Sequence, residues 1–227
     1  GSGSYRSNPL CCLMSYAIKE MFLTLQGEGV HCGRRAVFLR FTGCNLWTGL
    51  EKDRSSAICQ FCDTDFVGMD GEGGGRFADA QAVADSVATV WGASEIRRFV
   101  VITGGEPMLQ VDDALIDALH DCGFEIAIES NGTFSVPRTI DWICISPKAG
   151  SETVQKSGDE LKLVWPQTGS DWEQMQSWDF SHHLIQPMDA RESDDASATN
   201  VQSAIEFVQA NPKWRLSLQT HKILGLA

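Results

Sequence analysis

The sequence lacks any uninterrupted run approaching the ~20 apolar residues needed to cross a bilayer, and it opens without a basic segment followed by an apolar one. Those absences predict a soluble, cytoplasmic protein with no membrane partner. Basic side chains are scarce as well. Eighteen Lys and Arg stand against 30 Asp and Glu, a formal net charge of -12, so most of the surface repels a polyphosphate backbone and nucleic acid is excluded as a direct partner. No internal repeat is present. With 43% hydrophobic and 21% charged residues in a chain of 227, the composition excludes collagen-like, coiled-coil and wholly disordered chains and suits one folded domain. Residues 1–13 begin with the low-complexity stretch Gly1-Ser2-Gly3-Ser4 and read as the remnant of an appended tag; the expected native domain is 14–227, starting at Met14.

Cysteine is plentiful, at positions 11, 12, 32, 44, 59, 62, 122 and 144. An even count would suit a disulfide framework in a secreted chain, but without a secretory leader the expected compartment is reducing, where clustered cysteines are metal ligands or catalytic groups. Cys11 and Cys12 fall in the tag, and Cys122 and Cys144 follow apolar patterns and read as small buried hydrophobes. Cys59-Gln60-Phe61-Cys62 is different: the two-residue spacing lets one turn aim two thiolates at a single centre, with Cys44 upstream behind Thr42-Gly43. Three thiolates leave one position open for a further ligand. Spacing alone allows an iron–sulfur cluster, a zinc ion with a recruited fourth ligand such as His31, or no metal.

Short β-branched runs alternate with amphipathic segments after residue 95, which predicts an α/β architecture with a largely parallel sheet. Strands are expected at Ala36–Phe41, Phe99–Thr103, Glu125–Glu129, Trp142–Ser146, Leu161–Trp165, His183–Gln186 and Arg215–Gln219. Helical periodicity is clear at Asp79–Trp91, Val111–Cys122 and Ser197–Ala210. More strands than helices point to a partial, trimmed (β/α) barrel, since a complete one needs a helix after each strand. The glycine-rich stretch Gly71–Gly75 reads as a flexible connection holding no element.

Polar residues gather where strands end: Thr103-Gly104-Gly105-Glu106-Pro107, Glu129-Ser130-Asn131-Gly132, Ser146-Pro147-Lys148 and Gln186-Pro187-Met188-Asp189. α/β folds place their ligands at the carboxyl ends of parallel strands. Taken with Leu25-Gln26-Gly27-Glu28-Gly29, Arg40-Phe41-Thr42-Gly43-Cys44-Asn45-Leu46 and Cys62-Asp63-Thr64, these motifs resemble the radical S-adenosylmethionine (SAM) enzymes, and within them the family that makes 7-carboxy-7-deazaguanine in the queuosine and 7-deazapurine pathway. The resemblance spans essentially the whole native chain. It departs from the usual pattern at one place: radical SAM enzymes commonly carry three residues between the first two cluster cysteines, whereas fourteen separate Cys44 from Cys59, and Ser55 stands where the usual spacing would put a cysteine. Residues 46–58 are read as an inserted loop, with Cys32 as the fallback ligand.

The resemblance implies a radical SAM type of partial barrel with about six parallel core strands and about three main helices. It implies a 4Fe-4S cluster on Cys44, Cys59 and Cys62, and SAM bound by Phe61, Gly104, Gly105, Glu106, Ser130, Ser146, Pro147, Lys148, Gln186, Pro187, Met188 and Asp189. The implied substrate, 6-carboxy-5,6,7,8-tetrahydropterin, would contact Leu25, Gln26, Gly27, Glu28, Arg40, Thr103 and His221, with Mg2+ on Thr64. A 5′-deoxyadenosyl radical would take hydrogen at C6, and ring contraction with loss of ammonia would follow, so the enzyme would be a carbon–nitrogen lyase with no direct acid or base among its residues. A reductant such as flavodoxin or ferredoxin and assembly as a homodimer complete the implied picture. Two other readings stay open: a radical SAM activase acting on a partner protein, and a zinc-stabilised binding module without catalysis.

Overall fold

The structure, a computed structural model, describes residues 15–190 and 193–226; the tag reading of residues 1–13, with Cys11, Cys12 and Met14, lies outside the described residues. In chain order the elements are β1 (Tyr16–Leu25), β2 (Arg35–Phe41), a 3-10 turn (Glu51–Ser56), β3 (Gly75–Phe77), α1 (Ala80–Trp91), β4 (Phe99–Gly104), a second 3-10 turn (Pro107–Leu109), α2 (Asp113–Asp121) and β5 (Glu125–Ser130). There follow β6 (Trp142–Ile145), β7 (Ser157–Trp165), α3 (Trp172–Met175), β8 (Asp179–Pro187), α4 (Asp194–Ala210), β9 (Trp214–Leu216) and α5 (Thr220–Leu224). All nine strands form one sheet in the order β3-β1-β2-β4-β5-β6-β7-β8-β9. From β2 to β9 every pairing is parallel, while β1 pairs antiparallel with β2 and β3.

This is the trimmed barrel expected. Helices of useful length occur only before β4, between β4 and β5, and between β8 and β9. Each begins where a side chain satisfies an otherwise orphaned amide: Asp79 accepts from Ala82 N, Asp112 from Leu115 N and Ser193 from Ala196 N. The last cap, with Asp194 and Asp195 in the first turn, starts α4 three residues earlier than its apolar periodicity suggests, because the helix dipole favours acids there. On the sheet's helix-covered face, Val100, Ile102, Ile126, Ile128, Leu161 and Leu163 pack with Leu115, Leu119 and Phe207 in the main core. The opposite face carries a smaller apolar layer of Ala36, Phe99, Val101 and Ala127.

Four points differ from expectation. β1 was not anticipated: its alternation is broken by a bulge between Ile18 and Glu20, and it buries Lys19 while exposing Leu23 and Leu25. The glycine run does not lie wholly outside the sheet, because Gly75 begins β3 and pairs with Ile18. The strand expected over Arg215–Gln219 stops at Leu216, and the chain turns into α5 at Thr220. β7 and β8 begin earlier than expected, since the polar residues Ser157 and Asp179 pair with each other across the ladder.

Candidate active site

Strand alternation decides what lines the interior. Side chains two apart share a face, so where Leu161 and Leu163 face the helices, Glu160, Lys162 and Val164 face inward; by the same rule β5 turns Glu129 inward and β8 turns Gln186 inward. At the carboxyl ends of the parallel strands Glu129, Lys162, Val164 and Gln186 line a cavity of about 340 Å³, within the usual size range for a small-molecule site.

The four polar strand ends meet here. Thr103, Gly104 and Gly105, then Ser130 and Asn131, then Ser146 and Lys148, then Gln186, Pro187, Met188 and Asp189 all line the cavity. Lys148 donates to the Ser146 carbonyl and hydroxyl oxygens, both at 2.7 Å. Glu106 and Pro147 differ from expectation, since neither lines the cavity. Glu106 is fully buried; its Oε1 accepts from Ser130 Oγ (2.9 Å) and Met108 N (3.0 Å), and its Oε2 accepts from Asn131 N (2.8 Å). It is a strut between strand ends, and burial pushes its carboxyl above the usual range despite those donors. Gly105 has no room for a side chain, because an added Cβ would lie 2.2 Å from Gly43 O and 2.8 Å from Cys44 Cβ. The glycine turn is where the first cysteine loop docks.

The other expected substrate residues, Leu25, Gln26, Gly27, Glu28, Arg40 and His221, also line the cavity, as Thr103 does. His221 rides on α5 and packs so closely on Gly27 that a Cβ there would sit 2.1 Å from His221 Nδ1. Arg40 Nε donates to Glu20 Oε1 at 2.6 Å. Lys162 Nζ lies 2.7 Å from Glu28 Oε2 and 2.7 Å from Glu129 Oε2. Burial alone would raise the Glu28 carboxyl, but the Lys162 charge and hydrogen bonds from Lys162, Gln219 and Gln186 outweigh it and hold Glu28 at about 2. For Glu129 the burial cost wins, helped by the nearby Glu28 and Glu160 charges, and its carboxyl is raised. Sequence reading missed Glu129, Lys162, Gln219 and Lys222 as site residues. A usable signal existed for Lys162: Glu160-Leu161-Lys162-Leu163 alternates charged and apolar residues on a strand with helices on one side, so the charges must face an interior.

Cys59, Cys62, Phe61 and Thr64 line the same cavity. Cys44 sits behind them in a smaller pocket of about 260 Å³ formed with residues of the 46–58 segment. That segment is a closed side loop, because Leu46 O accepts from both Ile58 N (3.1 Å) and Cys59 N (3.4 Å). The chain thus leaves and returns at one point, bringing Cys44 and Cys59 together across fourteen intervening residues. Arg54 ties the loop to the cysteine turn, donating to Gln60 O at 2.8 Å and Cys62 O at 3.1 Å while stacking over Trp47. Cys32 is exposed at a turn against Thr220 and does not line the cavity.

Three thiolates with one position left open are a donor set whose chemistry suits an iron–sulfur cluster. Among the described residues no three His, Cys, Asp or Glu side chains stand close enough to hold a single metal ion. Backbone amides approach the sulfurs, with Leu46 N 3.4 Å from Cys44 Sγ, the kind of hydrogen bonding that tunes iron–sulfur thiolates. The Cys59 thiol donates to Cys62, which, with a Thr64 amide, lowers Cys62 to about 6 against the opposing effect of burial. The same bond pushes Cys59 well up.

No protein-family model matches the chain. It is 58% identical over 213 residues to the 7-carboxy-7-deazaguanine synthase of Bradyrhizobium diazoefficiens, covering 94% of this chain and 100% of the relative. The synthase of Nitratidesulfovibrio vulgaris is 52% identical with the same coverage of both chains. A crystal structure of QueE from Escherichia coli superposes with a TM-score of 0.68 at 25% identity, covering 94% of this chain and 99% of that one. With three clustered cysteines, a carboxylate-lined cavity and full-length relatives of one name, the chain belongs to the 7-carboxy-7-deazaguanine synthase family.

Proposed function

We propose that this chain is a radical SAM lyase that converts 6-carboxy-5,6,7,8-tetrahydropterin to 7-carboxy-7-deazaguanine with loss of ammonia, in the queuosine or 7-deazapurine pathway. The observation that carries the reading is the meeting, in one cavity, of the cysteine turn with acceptors and a cation suited to a carboxylated pterin. Full-length relatives bearing the synthase name support it and leave nothing in favour of a protein-activating or zinc-binding role.

In this reading Cys44, Cys59 and Cys62 hold a 4Fe-4S cluster, and SAM lies along Gly104, Gly105, Ser130, Ser146, Lys148 and Gln186, next to Phe61. Together, when bound, they supply a radical that removes one hydrogen atom from the substrate. Gly104 and Gly105 bring backbone close to the cofactor, while Glu106 acts from behind by fixing Ser130 and Asn131. Arg40 faces the substrate carboxylate, and Thr64, between Asp63 and Asp65, offers an oxygen for Mg2+, which keeps few protein ligands and several waters. Gln26 and Glu28 accept from the pterin edge. His221 on α5 and Gln219 just before it cover the cavity. The chain's contribution is orientation and exclusion of water, so that one C–H bond is presented at near-attack distance.

A protein reductant such as flavodoxin or ferredoxin, a homodimeric assembly and a cytoplasmic location complete the proposal. The location is supported by free thiols at all six cysteines among the described residues. No helix among the described residues is long and apolar enough to cross a membrane. The test is an anaerobic assay of reconstituted, reduced protein with magnesium, SAM and the tetrahydropterin, read by mass spectrometry. Product over many turnovers with little net 5′-deoxyadenosine is expected. Cys44→Ala should lose both iron and product, whereas 5′-deoxyadenosine without product from the parent protein would overturn the substrate assignment.

A further inference from the structure

Among the described residues Lys162 is the one cation buried among the cavity's acids, with its side chain 4% exposed. Its Nζ bridges Glu28 on the β1–β2 connection and Glu129 on β5, at 2.7 Å from each. Gln26 Nε2 reaches Glu129 Oε1 at 3.3 Å, and Gln219 Nε2 reaches Glu28 Oε1 at 2.9 Å. Glu160 lies below Lys162 on the same face of β7, accepting from Val30 N, so the surroundings are acidic apart from Lys162 itself.

Two carboxylates this close repel, and without a shared cation one of them takes a proton. A protonated carboxyl donates where an ionised one only accepts. Lys162 therefore governs whether this wall of the cavity presents two acceptors or an acceptor beside a donor. A 2-aminopteridine offers donors at its 2-amino and N3–H groups, while a 2-oxopteridine places an acceptor where the amino group was.

We propose that Lys162 is a positioning residue which, by bridging Glu28 and Glu129, keeps both as hydrogen-bond acceptors and so makes the cavity select a 2-aminopteridine over its 2-oxo counterpart. The inference rests on the pterin reading above and deepens it. Lys162 acts through the two carboxylates and not on the reacting atoms.

The test uses reconstituted protein with SAM and magnesium, and equilibrium dialysis of two stable, fluorescent probes, pterin-6-carboxylate and lumazine-6-carboxylate. The parent should prefer the pterin. Lys162→Met should weaken pterin binding by about 10- to 100-fold, as expected when a buried acceptor becomes a donor facing a donor, and should erase or invert the preference for the pterin over lumazine. In turnover the variant should raise KM for the tetrahydropterin more than it lowers kcat. Lys162→Arg, which keeps the cation, should retain the preference. A folded Lys162→Met protein with the parent's preference would overturn the proposal. If that variant fails to melt cooperatively, Glu129→Gln decides the matter: its amide brings a donor to the same place, and a retained preference would be equally fatal. A parent that binds neither probe would overturn the pterin reading itself, which separates the two failures.

Discussion

Cys59 and Cys62 flank a single turn yet hold their protons very differently. Cys59 donates to Cys62, so Cys62 ionises at about 6 while Cys59 is pushed far above the ordinary thiol range. In cluster-free protein, alkylation of Cys62 should therefore follow a titration centred near pH 6 and outpace that of Cys59 at neutral pH, because the thiolate is the nucleophile. Cys59→Ala removes the donated hydrogen bond and should shift the Cys62 midpoint upward. Peptide mapping of iodoacetamide adducts across pH 5–9 reads both outcomes, and a Cys62 rate unchanged by the substitution would refute the shared proton. Glu106 teaches the complementary lesson at this scale. Its motif marks the right place in the fold, but motif residues include struts as well as wall residues, and only the donors it accepts from tell which it is.

Among the elements, the 46–58 loop is the part whose role is set by a single side chain. Arg54 donates to the carbonyls of Gln60 and Cys62, contacts of a kind worth about 1.5–3 kcal/mol when one partner is charged. Arg54→Ala should leave thermal stability within a few degrees of the parent, since the partners of Arg54, namely Glu51, Gln60, Cys62 and Trp47, all lie outside the sheet, but should speed loss of iron under mild chelation several-fold. Equal iron release from parent and variant would show that the loop does not steady the cysteine turn. Seven strands, three helices and the convergence of four strand ends were legible in the sequence because apolar periodicity and turn residues report burial and chain reversal directly. β1 was not, because its bulge breaks the alternation and its Lys19 is buried by pairing with Asp65 and Asp70. Lys162 escaped for another reason: a charged residue inside a strand looks solvent-facing until both faces of that strand are known to be covered, whereas Glu129 stood in a strand-end motif without being given a role of its own.

The molecule as a whole is a sheet whose two edges, β3 and β9, are each three residues long, a length that discourages edge-to-edge pairing. Near the β9 edge, His183 is buried between the rings of Phe180 and Trp214, with no hydrogen-bond partner for Nε2 among the described residues. Burial first, then the charges of Lys213 and His182, lower its pKa to about 4. The unfolded chain takes up this proton near the ordinary value of about 6.5, whereas the folded chain resists until about 4. Global stability attributable to His183 is therefore intact above about pH 6.5 and is lost as pH falls toward 4. His183→Gln should flatten the decline in Tm between pH 7 and pH 4.5 by a few degrees, measured by calorimetry against the parent. An identical decline in both proteins would place the acid sensitivity elsewhere.

The closure at Leu46 has a further consequence for anyone wishing to modify the protein. Because Ile58 and Cys59 return to the same carbonyl from which the chain departed, the exposed tip of the loop is a socket whose contents are not read by the sheet. Loop-closure entropy rises by only about 0.6 kcal/mol for each doubling of length. A fluorescent reporter or an affinity peptide spliced in after Lys52, with Arg54 and its carbonyl partners retained, would therefore sit beside the cysteine turn as a built-in gauge of cluster loading.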